Sequence, residues 1–257
     1  MSWRVPRYCY LHAARDIGVG SITPDATHVT ADIAYLIDDR PSVQFSWSDD
    51  DTLHQIDFDL GTGFASVGAT RITIENHDLA GQIYFYQDDA AGFPSAYTLL
   101  DHTAVAGTDI DEDFTKTQDE RYLRLLIIPS GAWSIGQIRI TKTVTPSVGP
   151  EPGWADELVP NVTQLPGGDS LQTDSDQRRY EFTYPQLGQA TASDLTDIEA
   201  MIAAVSTYRP ILVDPPYDTN AAVVMKIEQA RVLANTLVPA SATRTAAVTL
   251  SLLEYLG

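Results

Sequence analysis

The run Asp109-Ile110-Asp111-Glu112-Asp113, with Glu120 further on, is the first stretch whose residue types could do chemistry. Carboxylates placed this closely can converge on a hard cation such as calcium, which takes its ligands from several oxygens at once. Phe114 stands where a calcium loop needs a glycine for its sharp turn, and no helical periodicity flanks the run. The run therefore reads as a solvated acidic loop, with a structural calcium ion as the disfavoured alternative and no other cofactor in view. Asp49-Asp50-Asp51 is another acidic cluster, but successive side chains on an extended chain point in alternating directions and rarely converge. Asp38 and Asp39, next to Pro41, read as turn formers.

His12, His28, His54, His77 and His102 are scattered, and none pairs with another or with Cys9 at a zinc-binding spacing. No nucleophile elbow, phosphate-cradling glycine loop or zinc helix is present, and Gly18-Val19-Gly20 precedes no helix. No catalytic, cofactor-binding or metal-ligating residue is assigned, and a non-enzymatic protein is expected. Aromatic residues are the remaining candidates, because the apolar face of a sugar stacks on a ring. Trp47, Tyr97, Trp133 and Tyr84-Phe85-Tyr86 are the ones in view, with Trp133, in a Gly/Ser-rich turn, the first choice for an exposed contact. Period-two alternation puts Tyr84 and Tyr86 on one face of a strand and Phe85 on the other.

Composition limits what such residues could meet. A net charge of -19 repels nucleic acid and anionic membranes at long range, so binding to neither is expected, and with no stretch long enough to span a bilayer no membrane insertion is expected. With 44% hydrophobic and 20% charged residues the chain reads as folded, and its single cysteine, Cys9, excludes an internal disulfide. The first residues lack the apolar run of a signal peptide, so synthesis in the cytoplasm is expected.

The elements that must position these residues are mostly strands. Alternation between Gly, Asp and Asn punctuation predicts strands over 53–60, 70–75, 82–87, 122–128 and 135–140, with turns at Gly61-Thr62-Gly63, Asn76-His77-Asp78 and Pro129-Ser130-Gly131. Residues 146–176, rich in Pro, Gly, Ser and Asp, read as a linker. Beyond it lie a strand over 178–184 stopped by Pro185, a helix capped by Thr191 or Ser193 with Leu195, Ile198, Ile202 and Val205 as its buried stripe, and strands over 210–214, 222–228 and 245–255. The prediction is a mainly β protein: a jelly-roll β-sandwich over 1–145, the linker over 146–176, and a small antiparallel β-sandwich with one packed helix over 177–257. The N-terminal segment, with Trp3, Arg4 and Arg7, reads either as the first jelly-roll strand or as a docking arm for an acidic neighbour.

In chain order, 34–41 (AYLIDDRP), 56–61 (IDFDLG), 72–77 (ITIENH), 122–125 (YLRL) and 135–138 (IGQI) resemble the strands and corners of discoidin-like, galactose-binding-like jelly rolls. In the second half, 178–184 (RRYEFTY), the helix, 210–215 (PILVDP) and 248–255 (VTLSLLEY) are similar to the order of elements in tail-tube, distal-tail and baseplate proteins of siphophages. Together these resemblances imply a virion structural protein of a phage tail or baseplate. Its partners would be copies of itself, in a trimeric or hexameric ring, and other virion proteins, with a host-surface glycan as a further ligand. The alternative is a carbohydrate-binding protein, standing alone or serving a glycan-degrading enzyme.

Overall fold

Where the alternation is strongest the backbone is strand, and most of the described residues lie in strands. The computed structural model describes residues 5–10, 22–25, 33–38, 43–47, 53–61, 70–115, 121–151, 155–159, 162–164, 170–172, 177–205, 210–215, 223–234 and 244–255. The chain divides into two compact units, Leu11–Lys142 and Met1–Tyr10 with Thr143–Leu256. Among the described residues no helix is long and apolar enough to cross a membrane.

The strand β1 (Arg7–Tyr10) opens the chain and belongs to the C-terminal unit. The N-terminal unit then holds β2 (Ile22–Pro24), β3 (Phe45–Trp47), β4 (His54–Asp59), β5 (Arg71–His77), β6 (Gly81–Asp88), β7 (Tyr97–Ala104), β8 (Ile110–Asp113), β9 (Tyr122–Pro129) and β10 (Trp133–Val144). Five of them form one antiparallel sheet in the order β2-β4-β9-β6-β7, while β10, β5 and β8 pair side by side and β3 also pairs with β10. Except from β6 to β7, each strand crosses to the other sheet from its predecessor, which is the wiring of a jelly-roll sandwich. Alternate residues of one sheet supply the core, Ile56 and Phe58 from β4, Ile83 and Phe85 from β6, and Leu123, Leu125 and Ile127 from β9, and Ile72, Ile74, Ile135, Ile138 and Ile140 join them from the facing sheet. Burying a side chain of this size stabilises the fold by about 1.5–3 kcal/mol.

In the C-terminal unit β11 (Ala155–Val159), the pair β12 (Val162–Gln164) and β13 (Ser170–Gln172), β14 (Gln177–Leu187), helix α1 (Ala192–Ala204), β15 (Ile211–Asp214), β16 (Val223–Ala234) and β17 (Ala246–Glu254) follow in sequence. One antiparallel sheet runs β11-β14-β17-β16-β15-β1. Tyr180, Phe182 and Tyr184 on β14 face the same side as Leu252, Leu250 and Val248 on β17. Among the described residues both halves are thus mainly β, with the α-helix α1 in the C-terminal unit, as the sequence predicts.

Several details differ from the sequence reading. Within 146–176, read as linker, β11 pairs with β14 from Ala155↔Glu181 to Val159↔Gln177, and the Glu151 amide donates to the Thr183 carbonyl at 2.7 Å. From Arg7 onward the N-terminal segment is strand and not a free arm: Tyr8, Cys9 and Tyr10 are buried, and Arg7 pairs across to Asp214, its Nε 3.4 Å from the carboxylate. Trp3 and Arg4 lie outside the described residues. Pro185 does not stop β14, because a register shift between Tyr184 and Leu187 places it in a bulge, where its missing N–H costs no ladder bond. On α1 the Thr191 side chain makes no capping bond, and Met201 takes the buried place expected for Ile202 beside Leu195, Ile198 and Val205.

Candidate functional site

A sheet with one face on the core presents its other face outward, and on β4, β9, β6 and β7 that face carries an unusual set of side chains. Register places Asp57 opposite Arg124, Arg124 opposite Tyr86, and Tyr86 opposite Thr98. A parallel row runs Gln55, Leu126, Tyr84 and Asp101, and below it Ile128, Gln82 and Thr103. Phe85, between the two tyrosines, is fully buried, so the alternation resolves as expected and Tyr84 and Tyr86 stand on the outer side. Their rings are 5.9 Å apart and 22° from parallel.

Charge on this face is fixed in pairs. Arg124 donates to both carboxylate oxygens of Asp57, at 2.6 and 2.7 Å, and Arg121 to both of Asp59, at 2.6 Å each. Two-point pairing of this kind fixes orientation as well as charge. The Arg121 hydrogen bonds, helped by the Gly61 amide at 2.9 Å, hold Asp59 below the ordinary carboxyl value of 3.8. The Arg124 guanidinium also lies 4.1 Å from the centre of the Phe93 ring, and Arg121 lies 5.0 Å from that of Tyr122. Such contacts draw the cation to the negative face of the ring.

Phe93 reaches that position from a turn with a defined cause. The Asp88 carboxylate accepts from the Ala90 amide at 3.0 Å and the Ser95 amide at 2.8 Å, and these bonds, the Ala90 one foremost, lower its pKa. Phe93 itself has a φ of 52°, left-handed backbone that costs a bulky residue on the order of 1–2 kcal/mol. Tyr97, at the start of β7 on the far side of this turn, is 51% exposed. On the other flank the Gln82 amide donates to Asp101, and Gln82 accepts from the Thr103 hydroxyl at 2.9 Å. Burial, with Tyr84 and Asp101 adding to it, raises the pKa of Tyr86, so its phenol stays a neutral donor and acceptor at physiological pH.

The residues singled out from sequence fall differently. Trp133 is 2% exposed, with its ring 5.6 Å from that of buried His54, so it is core and not contact: its strand begins at the tryptophan itself and turns the ring inward. Trp47 pairs with it in register, and its side chain lies outside the described residues. The acidic run is strand and not loop: Arg71 pairs with Asp111, His102 Nδ1 lies 3.0 Å from Glu112, and Asp109 accepts from the Asn76 amide at 2.9 Å. Among the described residues no group of three or more His, Cys, Asp or Glu could hold a metal ion. Asn76 has the left-handed φ of 48° that its type allows, although β5 runs on through His77, whose pKa burial lowers. Asp39, Asp49, Asp50, Asp51, Glu120, His12, His28 and 18–20 lie outside the described residues. The arginines of the outer face were missed in sequence. The signal was present: Arg124 interrupts an apolar strand at a position whose alternation faces solvent.

No protein-family model matches the chain, and no curated protein does. Among solved structures, the chain is similar to chitosan-binding module 1 of a chitosanase/glucanase from Paenibacillus sp. IK-5, at 15% identity over 51% of this chain and 98% of that one, with a TM-score of 0.39. It is also similar to a Clostridium perfringens module, CpGH89CBM32-5, in complex with GalNAc-β-1,3-galactose, at 13% identity over 47% and 94% of the two chains and a TM-score of 0.36. A GH29 fucosidase of Ruminococcus gnavus in complex with fucose matches at 14% identity over 52% of this chain and 27% of its own, with a TM-score of 0.42.

Proposed function

We propose that the N-terminal sandwich binds carbohydrate on the outer face of its five-stranded sheet, without breaking bonds. One observation carries this reading: the Tyr84–Tyr86 ring pair stands beside an arginine that Asp57 and Phe93 hold rigid. A sugar has a C–H face that stacks on rings and a rim of hydroxyls that needs fixed donors and acceptors. Tyr84 and Tyr86 supply the first, and Arg124, Gln82, Asp101 and Thr103 the second. Because the polar groups are already ordered, little conformational entropy is lost on binding.

This reading takes the place of the phage-tail expectation, for which the structures named above give no support. The C-terminal unit then acts as the support or assembly domain. The test is a glycan-array screen of the full chain, followed by calorimetry on the best ligand with wild type and Tyr84→Ala/Tyr86→Ala. Loss of about tenfold or more in affinity is expected from removing two stacked rings. An array without a single ligand, or a variant that binds as wild type does, would refute it.

A further inference from the structure

We infer that the oligosaccharide taken by this face is neutral or amine-bearing and not a uronate or sulfated glycan, with Asp101 as the residue that selects the amine. This rests on the glycan reading above and goes on from it to the charge of the ligand.

The two guanidiniums on the face among the described residues are committed. Arg124 is held at two points by Asp57 and Arg121 at two points by Asp59, so an incoming carboxylate or sulfate would have to displace a carboxylate already bonded to each. Three carboxylates, Asp57, Asp59 and Asp101, stand against these two cations, which leaves the face negative in a chain whose net charge is -19. An anionic polymer is repelled at long range by the whole molecule and meets no uncommitted cation among these residues at short range.

Asp101 differs from the other two carboxylates. It is exposed, lies directly across the ladder from Tyr84, and its hydrogen-bond partner is the neutral Gln82 amide. A sugar stacked on Tyr84 therefore brings its substituents within reach of a carboxylate that no arginine or lysine among the described residues neutralises. A protonated amine on that ring would gain a charge-assisted hydrogen bond there, a hydroxyl or acetamide an ordinary one, and a carboxylate only repulsion.

The experiment uses calorimetry on the full chain in mildly acidic, low-salt buffer. Three oligosaccharides of equal length serve as probes: a glucosamine oligomer, its N-acetylated counterpart and a uronate oligomer. The glucosamine oligomer is expected to bind tightest, the acetylated one more weakly and the uronate not measurably. In Asp101→Asn the ratio of glucosamine to N-acetylglucosamine affinity should fall by about two- to fivefold, the size of one exposed ion pair, and high salt should lower it in wild type in the same sense. Uronate binding as tight as glucosamine, or an affinity ratio untouched by Asp101→Asn, would overturn the inference while leaving the glycan reading standing. Failure of all three probes, together with an array that yields no ligand, would remove both.

Discussion

The hydroxyl of Tyr8 lies 2.7 Å from that of Tyr184, although their strands, β1 and β14, are separated by three others in the same sheet. Four spacings in a flat sheet would set the two strands about 19 Å apart. The C-terminal sheet must therefore curl until its inward side chains meet, and the Tyr8 ring, 6.1 Å from that of Phe182 and edge-on to it, confirms the closure. A bulge between Ile227 and Gln229 on β16 keeps the inward face continuous through the bend.

Removing one of these hydroxyls strands the other in a buried site. Tyr8→Phe or Tyr184→Phe alone should each lower stability by about 1–3 kcal/mol in urea unfolding, and the double change should cost less than the sum of the two. Purely additive costs would mean that the hydroxyls do not depend on each other.

The same pair sets an alkaline limit. Burial raises both phenol pKa values above the ordinary 10.0, so the folded state disfavours the ionised form. Their contribution is fully present below pH 10 and is lost as pH rises toward the folded values. Ultraviolet titration of the chain's twelve tyrosines should show exposed ones ionising first and a final group ionising only as circular dichroism reports unfolding. A single transition near pH 10 with the fold intact would contradict this.

Backbone approach can be tested at Gly81. Its φ is 141°, and a Cβ there would lie 2.2 Å from the Ile128 carbonyl oxygen of the neighbouring strand. Gly81→Ala should destabilise the sandwich by more than about 2 kcal/mol, while Gly61→Ala, left-handed but with open space around it, should cost on the order of 1–2 kcal/mol. Thermal denaturation of the two variants side by side gives the comparison.

On the acid side Asp59 and Asp88 are the relevant groups. Their pKa values are lowered in the fold, so their contribution is present above the ordinary 3.8 and is lost as pH falls below it through the folded values. Glycan affinity should decline below about pH 4 as the turn carrying Phe93 loosens. In Asp88→Asn one amide bond of that turn is lost, so affinity should be reduced already at neutral pH. Wild-type affinity in that variant would show that the turn does not shape the site.

Much of this architecture was legible because burial on one side imposes period two. Phe85 against Tyr84 and Tyr86, and the apolar positions of β4 and β9, follow directly from that alternation. What alternation cannot tell is where a strand begins, and Trp133 was misplaced for that reason: Ser130-Gly131 reads as a turn, yet the tryptophan already sits in the ladder. Strand β7 was invisible because it is an edge strand, exposed along most of its length, so Thr98, Asp101 and Thr103 dilute the pattern. Strand β8 hid behind its charge, against which Arg71 pairs with Asp111 from a strand 40 positions away. The Asp57–Arg124 pair has the same character: its two residues are 67 positions apart, and only the register of β4 on β9 joins them.

The location of the ligand is the most direct test of the central claim. Backbone amide shifts of the labelled chain, followed by nuclear magnetic resonance during titration with the best array ligand, should move along β4, β9, β6 and β7, centred on Tyr84, Tyr86 and Arg124. Shifts confined to the C-terminal unit, or to loops away from this sheet, would contradict the account.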